Sequence, residues 1–293
     1  MKKIVLLYLV LLSLCFGCSD NKTYHNGLKF CEGTLAYKDL ILITNFGSSQ
    51  LDPANTEGRG YVMALDKDGT MQPFIPADGN LSAPKGMAVK DERLYIADVA
   101  KVVIYDLNDL KATPRVVHFS SDNSYINDLV VVGDELLATV TSSGNIFAIP
   151  DPDVDTVIYR TMVSGANGVA TDGKRLYIAS YNNTNTPSEE NVIYSCSLAD
   201  SSLLAEPLIY NLAQGLYDGV ALSEDGQKLY FSSWTIPGQT HGGIYCYDLA
   251  KGGAAQLMDF GVQLTGPGDI CIKDGFLYVP DLPESKVYKF SIK

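Results

Sequence analysis

The sequence predicts an all-β protein made of six repeated units, and three observations support this. The chain of 293 residues contains 26 glycines and 18 tyrosines, and its apolar residues occur in short runs between turn-like clusters. One pattern of about fourteen residues, represented by NGVATDGKRLYIAS from Asn167, occurs in six copies along the chain. Each copy is followed by a third short apolar run, and all but the last by a fourth.

The spacing of the copies predicts how these units are arranged. The copies start 40 to 53 residues apart, at Glu32, Lys85, Asn127, Asn167, Asp218 and Gly268. Repeats of this length are typical of four-stranded blades around a central channel, so we predict a six-bladed β-propeller. The sixth copy lacks a fourth strand, and we expect the segment from Lys22 to Asn26 to supply it. Pairing the two ends of the chain would close the ring and hide its edge strands.

The N-terminal residues have the pattern of an export signal. MKK is followed by the apolar run IVLLYLVLLSL, which is short for a transmembrane span. Gly17 before Cys18 resembles a bacterial lipoprotein signal, in which Cys18 would carry the lipid; an ordinary secretory signal is the alternative. We therefore predict a signal peptide at 1–17, a tether at 18–23 and the propeller at 24–293. The expected location is the bacterial cell envelope, on its periplasmic or surface side, with membrane contact through the lipid alone.

Net charge and cysteine content exclude several classes of function. The formal charge of −12 argues against a nucleic acid as partner. Besides the two cysteines near the signal, four remain, and none lies in a C-x-x-C or Cys/His cluster that would indicate zinc. We expect most of these four to be buried free thiols, although the sequence does not fix their disulfide state: Cys31, Cys196, Cys246 and Cys271. We further expect a monomer that acts on a small molecule.

The first residue of each copy is a candidate for function. The innermost strands of a propeller line its channel and enter from the same face, so the six first residues should form a ring around one mouth. Glu32, Asn127, Asn167 and Asp218 supply hard oxygen donors, which suit Ca²⁺ or another divalent cation. Asn or Asp before Gly is also common where strands begin, because both residues tolerate unusual backbone angles. The sequence leaves both interpretations open.

Long loops are predicted on the same face as this ring. The loops that join the second and third strands are long in three units, at 46–59, 181–190 and 234–241. Binding groups are usually carried on such loops. Trp234, the single tryptophan, and His241 lie on the third loop and are candidates either for the wall of a pocket or for loop packing.

Three of the copies carry a resemblance to a known family. EGTLAYKDLILITN, NGVATDGKRLYIAS and DGVALSEDGQKLYFSS resemble segments of the senescence-marker-protein/gluconolactonase family over most of residues 27–293. The resemblance implies a six-bladed propeller that holds one catalytic divalent metal, usually Ca²⁺, and hydrolyses lactones. It also implies that Glu32, Asn167 and Asp218 are metal ligands and that Asn127 contacts metal or substrate. The sequence departs from the family at Thr34, where proline is frequent.

These observations lead to a functional hypothesis and one alternative. The hypothesis is an exported, metal-dependent hydrolase of a lactone or related ester, with Asp218 and Asn127 as catalytic residues. Lys85, Trp234 and His241 would contact the substrate. The alternative is a non-catalytic propeller that binds a glycan, peptide or protein on its long-loop face. It predicts no metal and a salt bridge from Lys85 to Glu32 or Asp218, and Gly268, which brings no side chain to the mouth, favours it.

Overall fold

The structure, a computed structural model, describes residues 21–181, 192–209 and 216–292. These residues form 24 β-strands and contain no helix that could span a bilayer. The predicted signal peptide, Cys18 and most of the loop at 181–190 lie outside the described residues, so their roles stay predictions.

The strands form six antiparallel four-stranded sheets, as predicted. Blade 1 contains β2 (Cys31–Tyr37), β3 (Leu40–Asn45), β4 (Tyr61–Leu65) and β5 (Met71–Ile75). Blade 2 contains β6 (Met87–Lys90), β7 (Arg93–Asp98), β8 (Lys101–Asp106) and β9 (Arg115–His118). Blade 3 contains β10 (Ile126–Val132), β11 (Glu135–Val140), β12 (Asn145–Ile149) and β13 (Ile158–Met162).

The second half of the ring repeats this order. Blade 4 contains β14 (Ala166–Thr171), β15 (Arg175–Ser180), β16 (Ile193–Ser197) and β17 (Ala205–Ile209). Blade 5 contains β18 (Tyr217–Leu222), β19 (Lys228–Ser233), β20 (Gly243–Asp248) and β21 (Gln256–Leu257). Blade 6 contains β22 (Cys271–Lys273), β23 (Phe276–Asp281), β24 (Lys286–Ser291) and, as its outer strand, β1 (Lys22–Tyr24).

Strand β1 closes the ring, as the sequence predicted. It pairs antiparallel with β24, and Thr23 lies opposite Tyr288. The strand begins at Lys22, so the propeller starts two residues before the predicted boundary at 24 and includes residues assigned to the tether.

The hydrophobic core is divided among the interfaces between neighbouring blades. Each of the six interfaces has its own cluster of buried apolar side chains. Between blades 1 and 2, for example, Leu42 packs in one cluster with Leu94 and Ile96, all fully buried. Complete burial of one such side chain contributes roughly 1.5–3 kcal/mol. Cys31, Cys196, Cys246 and Cys271 are all free thiols, and three of them are buried, which agrees with the expectation for most of the four; Cys246 is only partly buried.

Hydroxyl groups connect the innermost strands of neighbouring blades. The Thr44 hydroxyl accepts a hydrogen bond from the Gly33 N–H (2.8 Å) and donates one to the Lys85 carbonyl of the next blade (2.9 Å). Blades 3 and 5 repeat the arrangement with Thr139, which joins Asp128 to Asn167, and Ser232, which joins Gly219 to Gly268. These bonds fix the strands that carry the predicted ring.

Three of the four ring asparagines and carboxylates are followed by glycine, which the close approach of neighbouring strands requires. A Cβ at Gly33 would lie 2.6 Å from the Lys85 carbonyl oxygen, and one at Gly219 would lie 2.6 Å from the Asp269 Cα. Both distances are too short for a side chain. Asn-Gly and Asp-Gly therefore combine a polar side chain at the channel mouth with a backbone that the next blade can touch.

Loss of one hydroxyl bridge should destabilise the protein. Thr139→Val removes the partner of the buried Asp128 N–H and of the buried Asn167 carbonyl, so we expect unfolding to become easier by about 2 kcal/mol or more. Thr139→Ser keeps the hydroxyl and is the matched control, with a smaller loss. Denaturant unfolding measures both variants. Equal stability of the valine and serine variants would contradict a role for the bridge.

Candidate functional site

Four ring residues lie where the innermost strand is irregular. The pairing of β2 with β3 shifts between Cys31 and Thr34, which places Glu32 in a β-bulge. The same shift occurs at the start of the innermost strand in blades 3, 4 and 5, around Asn127, Asn167 and Asp218. Blades 2 and 6 have a similar offset just before the assigned inner strand, where Lys85 and Gly86 both bond to Ala97 and where the pair Pro267–Asp281 is one residue out of register with Cys271–Tyr278. Bulges re-aim side chains and are frequent next to functional sites.

The four residues line one cavity at the channel mouth. Its volume is about 720 Å³, within the range of small-molecule sites. Lys85 and Trp234 line the same cavity, together with aromatic and hydroxyl side chains from the surrounding loops, among them Phe46, Tyr125, Ser142, Ser143 and Tyr181. The structure therefore brings five of the six aligned first residues to one mouth, as the repeat predicted.

Each of the four residues has a buried oxygen without a partner. In the described residues, Glu32 Oε2, Asn127 Oδ1, Asn167 Oδ1 and Asp218 Oδ1 accept no hydrogen bond, and each side chain is at most 6 % exposed. Buried polar atoms are nearly always paired, so four such oxygens around one cavity are suited to hold a ligand. Carboxylate and amide oxygens fit a hard cation such as Ca²⁺. In the described residues, no three His, Cys, Asp or Glu side chains lie together as possible metal ligands. A cation bound here would therefore need the two asparagine amide oxygens as ligands in addition to the two carboxylates.

Burial makes the ionised carboxylates unfavourable without a cation. It raises the pKa of Glu32 well above its ordinary value, and the nearby Asp218 raises it further, whereas Lys85 lowers it. Burial also raises the pKa of Asp218 to about 7, although the hydrogen bond from Trp234 and the charge of Lys85 both lower it. A divalent cation would stabilise both carboxylates in their ionised form.

Trp234 holds one oxygen of Asp218. The indole N–H donates to Asp218 Oδ2 at 2.6 Å, and the indole ring packs edge-on against Tyr181 with centroids 6.1 Å apart. This contact fixes the orientation of the carboxylate and leaves Oδ1 free. The sequence predicted Trp234 as a substrate contact; the structure adds a bond to Asp218 that the sequence did not reveal.

Lys85 is bound to backbone carbonyls rather than to the ring carboxylates. Its ammonium donates to the carbonyls of Ala83 (2.9 Å) and Pro53 (3.1 Å) and lies 5.5 Å from the centre of the Phe46 ring. Among the described ion pairs, none joins Lys85 to a carboxylate within 4.0 Å, so the salt bridge expected from the non-catalytic alternative is not formed. An ammonium has three donors, and one remains for a ligand.

One predicted site residue lies away from the cavity, and one buried carboxylate in the channel was not predicted. His241 is not among the residues that line the cavity, and its ring Nδ1 lies 2.9 Å from the Gly242 carbonyl. Gly268 brings no side chain to the mouth, but the next residue, Asp269, is a buried carboxylate that the sequence reading missed. A signal was present, because the second position is glycine in four copies and aspartate only at Asp128 and Asp269.

Comparison with known proteins identifies the fold. No protein-family model and no curated protein matches the chain. A gluconolactonase from Xanthomonas campestris superposes with a TM-score of 0.67 at 16% identity, over 94% of this chain and 90% of that one. A streptogramin B lyase superposes with a TM-score of 0.64 at 12% identity, over 93% of this chain and 97% of the lyase. A chain of a nidogen/laminin complex superposes with a TM-score of 0.59 at 14% identity, over 89% of this chain and 93% of that one. The chain shares the fold of these proteins, and the fold that the family resemblance implied is confirmed.

The buried Asp218 should make stability depend on pH when no divalent cation is present. The folded carboxyl keeps its proton up to about pH 7, whereas the unfolded one loses it near 3.8. The folded state thus binds more protons between these values, and the free energy of unfolding decreases as pH rises through this window. Between about pH 5 and about pH 8, the melting temperature of the wild type should fall by roughly 2–4 °C more than that of Asp218→Asn. The exposed Asp39→Asn is the control, and equal falls in all three proteins would contradict the expectation.

Proposed function

We propose that this protein is a divalent-cation-dependent hydrolase that acts on a lactone or related ester in the cavity at the channel mouth. The observation that carries the proposal is the set of four buried, unpartnered oxygens on Glu32, Asn127, Asn167 and Asp218. Ca²⁺ is the cation that this donor set suits best, and another divalent ion of similar chemistry is the alternative.

Two proteins that share this fold are enzymes, and this agrees with the proposal. Gluconolactonase and streptogramin B lyase are enzymes with this architecture, at identities that support the fold and not the reaction. A cavity of about 720 Å³ is suited to a small-molecule substrate. The loop hydroxyls of Thr141, Ser142, Ser143 and Ser164 line the same cavity and could bind the hydroxyl groups of a sugar lactone.

Each ring residue has a role in this proposal. Glu32, Asn127, Asn167 and Asp218 would hold the cation, and Asn127 would also orient the substrate. When bound, a divalent cation polarises a substrate carbonyl and stabilises its developing negative charge. In hydrolysis, water adds to the carbonyl carbon, the ring C–O bond breaks, and the proton lost by water ends on the alcohol oxygen.

Asp218 is the residue best suited to transfer that proton. Trp234 occupies its Oδ2 and keeps the side chain in one orientation. Oδ1 stays free to contact the cation and to accept a proton from the attacking water, as carboxylates in such sites can. Attack of Oδ1 on the carbonyl itself is the other route open to a carboxylate in this position.

Calorimetric titration of Ca²⁺ into the chelator-treated protein tests the cation, and a panel of sugar and aliphatic lactones tests the reaction. We expect saturable Ca²⁺ binding that Glu32→Gln weakens by about tenfold or more, because one charged ligand is lost. Asp218→Asn should abolish lactone turnover and leave the fold intact, as judged by circular dichroism. Asp39→Asn, on an exposed turn, is the control and should behave as wild type.

Two outcomes would contradict the proposal in different ways. No heat of Ca²⁺ binding in any of these proteins would leave the ring without a cation and favour the non-catalytic binding propeller. The fold also occurs in a chain of a nidogen/laminin complex, which is consistent with that alternative. Full lactone turnover by Asp218→Asn would instead remove Asp218 from the mechanism.

Lys85 should select a substrate that carries a carboxylate. It is the single cation among the described residues that line the cavity, and it has one donor left. We therefore expect the wild type to prefer galactaro-1,4-lactone, which bears a carboxylate, over galactono-1,4-lactone, which bears a hydroxymethyl group. Lys85→Met should lower kcat/KM for the first by about tenfold or more and change that for the second little.

This pair of substrates separates two roles of Lys85. The ammonium also binds the Pro53 carbonyl and so ties the long loop of blade 1 to the ring. If Lys85 only fixes this loop, Lys85→Met should lower kcat/KM for both lactones by the same factor. Equal losses would therefore contradict recognition of a carboxylate.

A further inference from the structure

The channel has a second cavity on the side away from the ring. Its volume is about 280 Å³, and most of its lining is apolar, with two carboxylates, Asp128 and Asp269. It shares no lining residue with the larger cavity. The proposed hydrolase site uses neither carboxylate.

Asp269 is a buried carboxylate with no partner for either oxygen. Its side chain is 4 % exposed, and among the described residues neither Oδ1 nor Oδ2 accepts a hydrogen bond. The backbone holds the residue in place, because Asp269 N–H donates to the Glu32 carbonyl at 2.9 Å and the Asp269 carbonyl accepts from Thr34 N–H at 3.0 Å. A buried carboxylate is costly unless a cation or donors compensate for it.

Asp128 lies in the same cavity and is held more rigidly. Its Oδ1 accepts from the Leu129 N–H and its Oδ2 from the Val169 N–H, both at 2.8 Å. An ionised carboxylate has about four acceptor sites, so both oxygens keep capacity for a cation. The carboxylate also lies against Gly86, where any Cβ would collide with Oδ1. Glycine at 86 thus leaves the room that Asp128 occupies.

The two carboxylates come from opposite sides of the ring. Asp128 belongs to blade 3 and Asp269 precedes β22 of blade 6, which lies three blades away in the six-bladed ring. The other four blades have glycine at the equivalent position, namely Gly33, Gly86, Gly168 and Gly219. Two carboxylates therefore face a channel axis that the remaining blades leave open.

The charges around the channel favour a second cation. The two cavities together are lined by four buried carboxylates, on Glu32, Asp128, Asp218 and Asp269, and by one ammonium, on Lys85. If all four carboxylates were ionised, one divalent cation at the ring together with the Lys85 ammonium would still leave a net negative charge in the channel. Uncompensated buried charge is strongly destabilising, so the lower pair needs a counterion or a proton of its own.

We propose that Asp128 and Asp269 form a second binding site for a hard divalent cation, in the neck of the channel one residue beyond the ring. Two carboxylates with backbone or water oxygens are a donor set that Ca²⁺ accepts. This site is distinct from the proposed catalytic cation, and it does not depend on hydrolase activity. Its expected role is to neutralise the channel and to join blades 3 and 6 across the axis.

Equilibrium dialysis of the chelator-treated protein against radioactive Ca²⁺ tests the site by stoichiometry. We expect two ions per chain in the wild type and one in Asp269→Asn or in Glu32→Gln, with none in the double variant. Asp128→Asn should also bind one ion, which keeps the test decisive if Asp269→Asn does not fold. Asp39→Asn should bind two, and circular dichroism checks each fold.

Two results would overturn the inference. A wild type that binds one ion, lost in Glu32→Gln and kept in Asp269→Asn, would mean that Asp269 carries a proton instead. Two ions in Asp269→Asn and in Asp128→Asn would mean that the second ion lies elsewhere. Absence of lactone turnover in a protein that binds two ions would leave this inference intact and reject the proposed function.

Discussion

The structure depends on the close approach of the six innermost strands around the channel. Neighbouring strands touch so closely at this point that the residue after the ring position is glycine in four blades. Hydroxyl groups then connect strand to strand, as Thr44 connects Gly33 to Lys85. The ring side chains stand directly before these contacts, so whatever fixes the strands also fixes the site. Stability and site geometry are therefore properties of the same few residues.

This arrangement has an energetic cost. It gathers carboxylates where water is excluded, and burial raises the pKa of Glu32, Asp128, Asp218 and Asp269 above their ordinary values. The apolar clusters between blades offset such costs, since they lie outside the channel and bury large side chains at every interface. Polar groups that weaken a fold are typically retained at functional sites. The channel is the part of this molecule to which that reasoning applies.

The fold could be predicted from sequence because its signals are local and repeated. Alternation of apolar and polar residues with a period of two identifies strands, and a pattern that recurs every 40 to 53 residues identifies blades. The six-bladed ring and its closure by β1 could be predicted from these two signals. The site was predicted in part, since alignment of the copies selects the ring residues. Side-chain directions could not be predicted. The bond from Trp234 to Asp218, the carbonyl ligands of Lys85, the position of His241 away from the cavity and the orphaned Asp269 all depend on distances between blades.

A hydroxyl on the second strand accompanies the bulge in three of the four blades that supply oxygen donors. In blades 1, 3 and 5 the bulge removes a backbone partner, and the hydroxyl of Thr44, Thr139 or Ser232 accepts from the freed N–H instead. In blade 2 the equivalent residue is Ala97, and backbone pairs with backbone: Lys85 N–H donates to Ala97 and Ala97 N–H donates to Gly86. Gly268 N–H likewise donates to the Pro280 carbonyl in blade 6. Blades 2 and 6, where these bonds are backbone to backbone, carry lysine and glycine at the ring position. In blades 1, 3 and 5 the bulge, the oxygen donor in the ring and the hydroxyl on the second strand are thus parts of one local structure, whereas blade 4 carries Asn167 with Ala179 at the hydroxyl position.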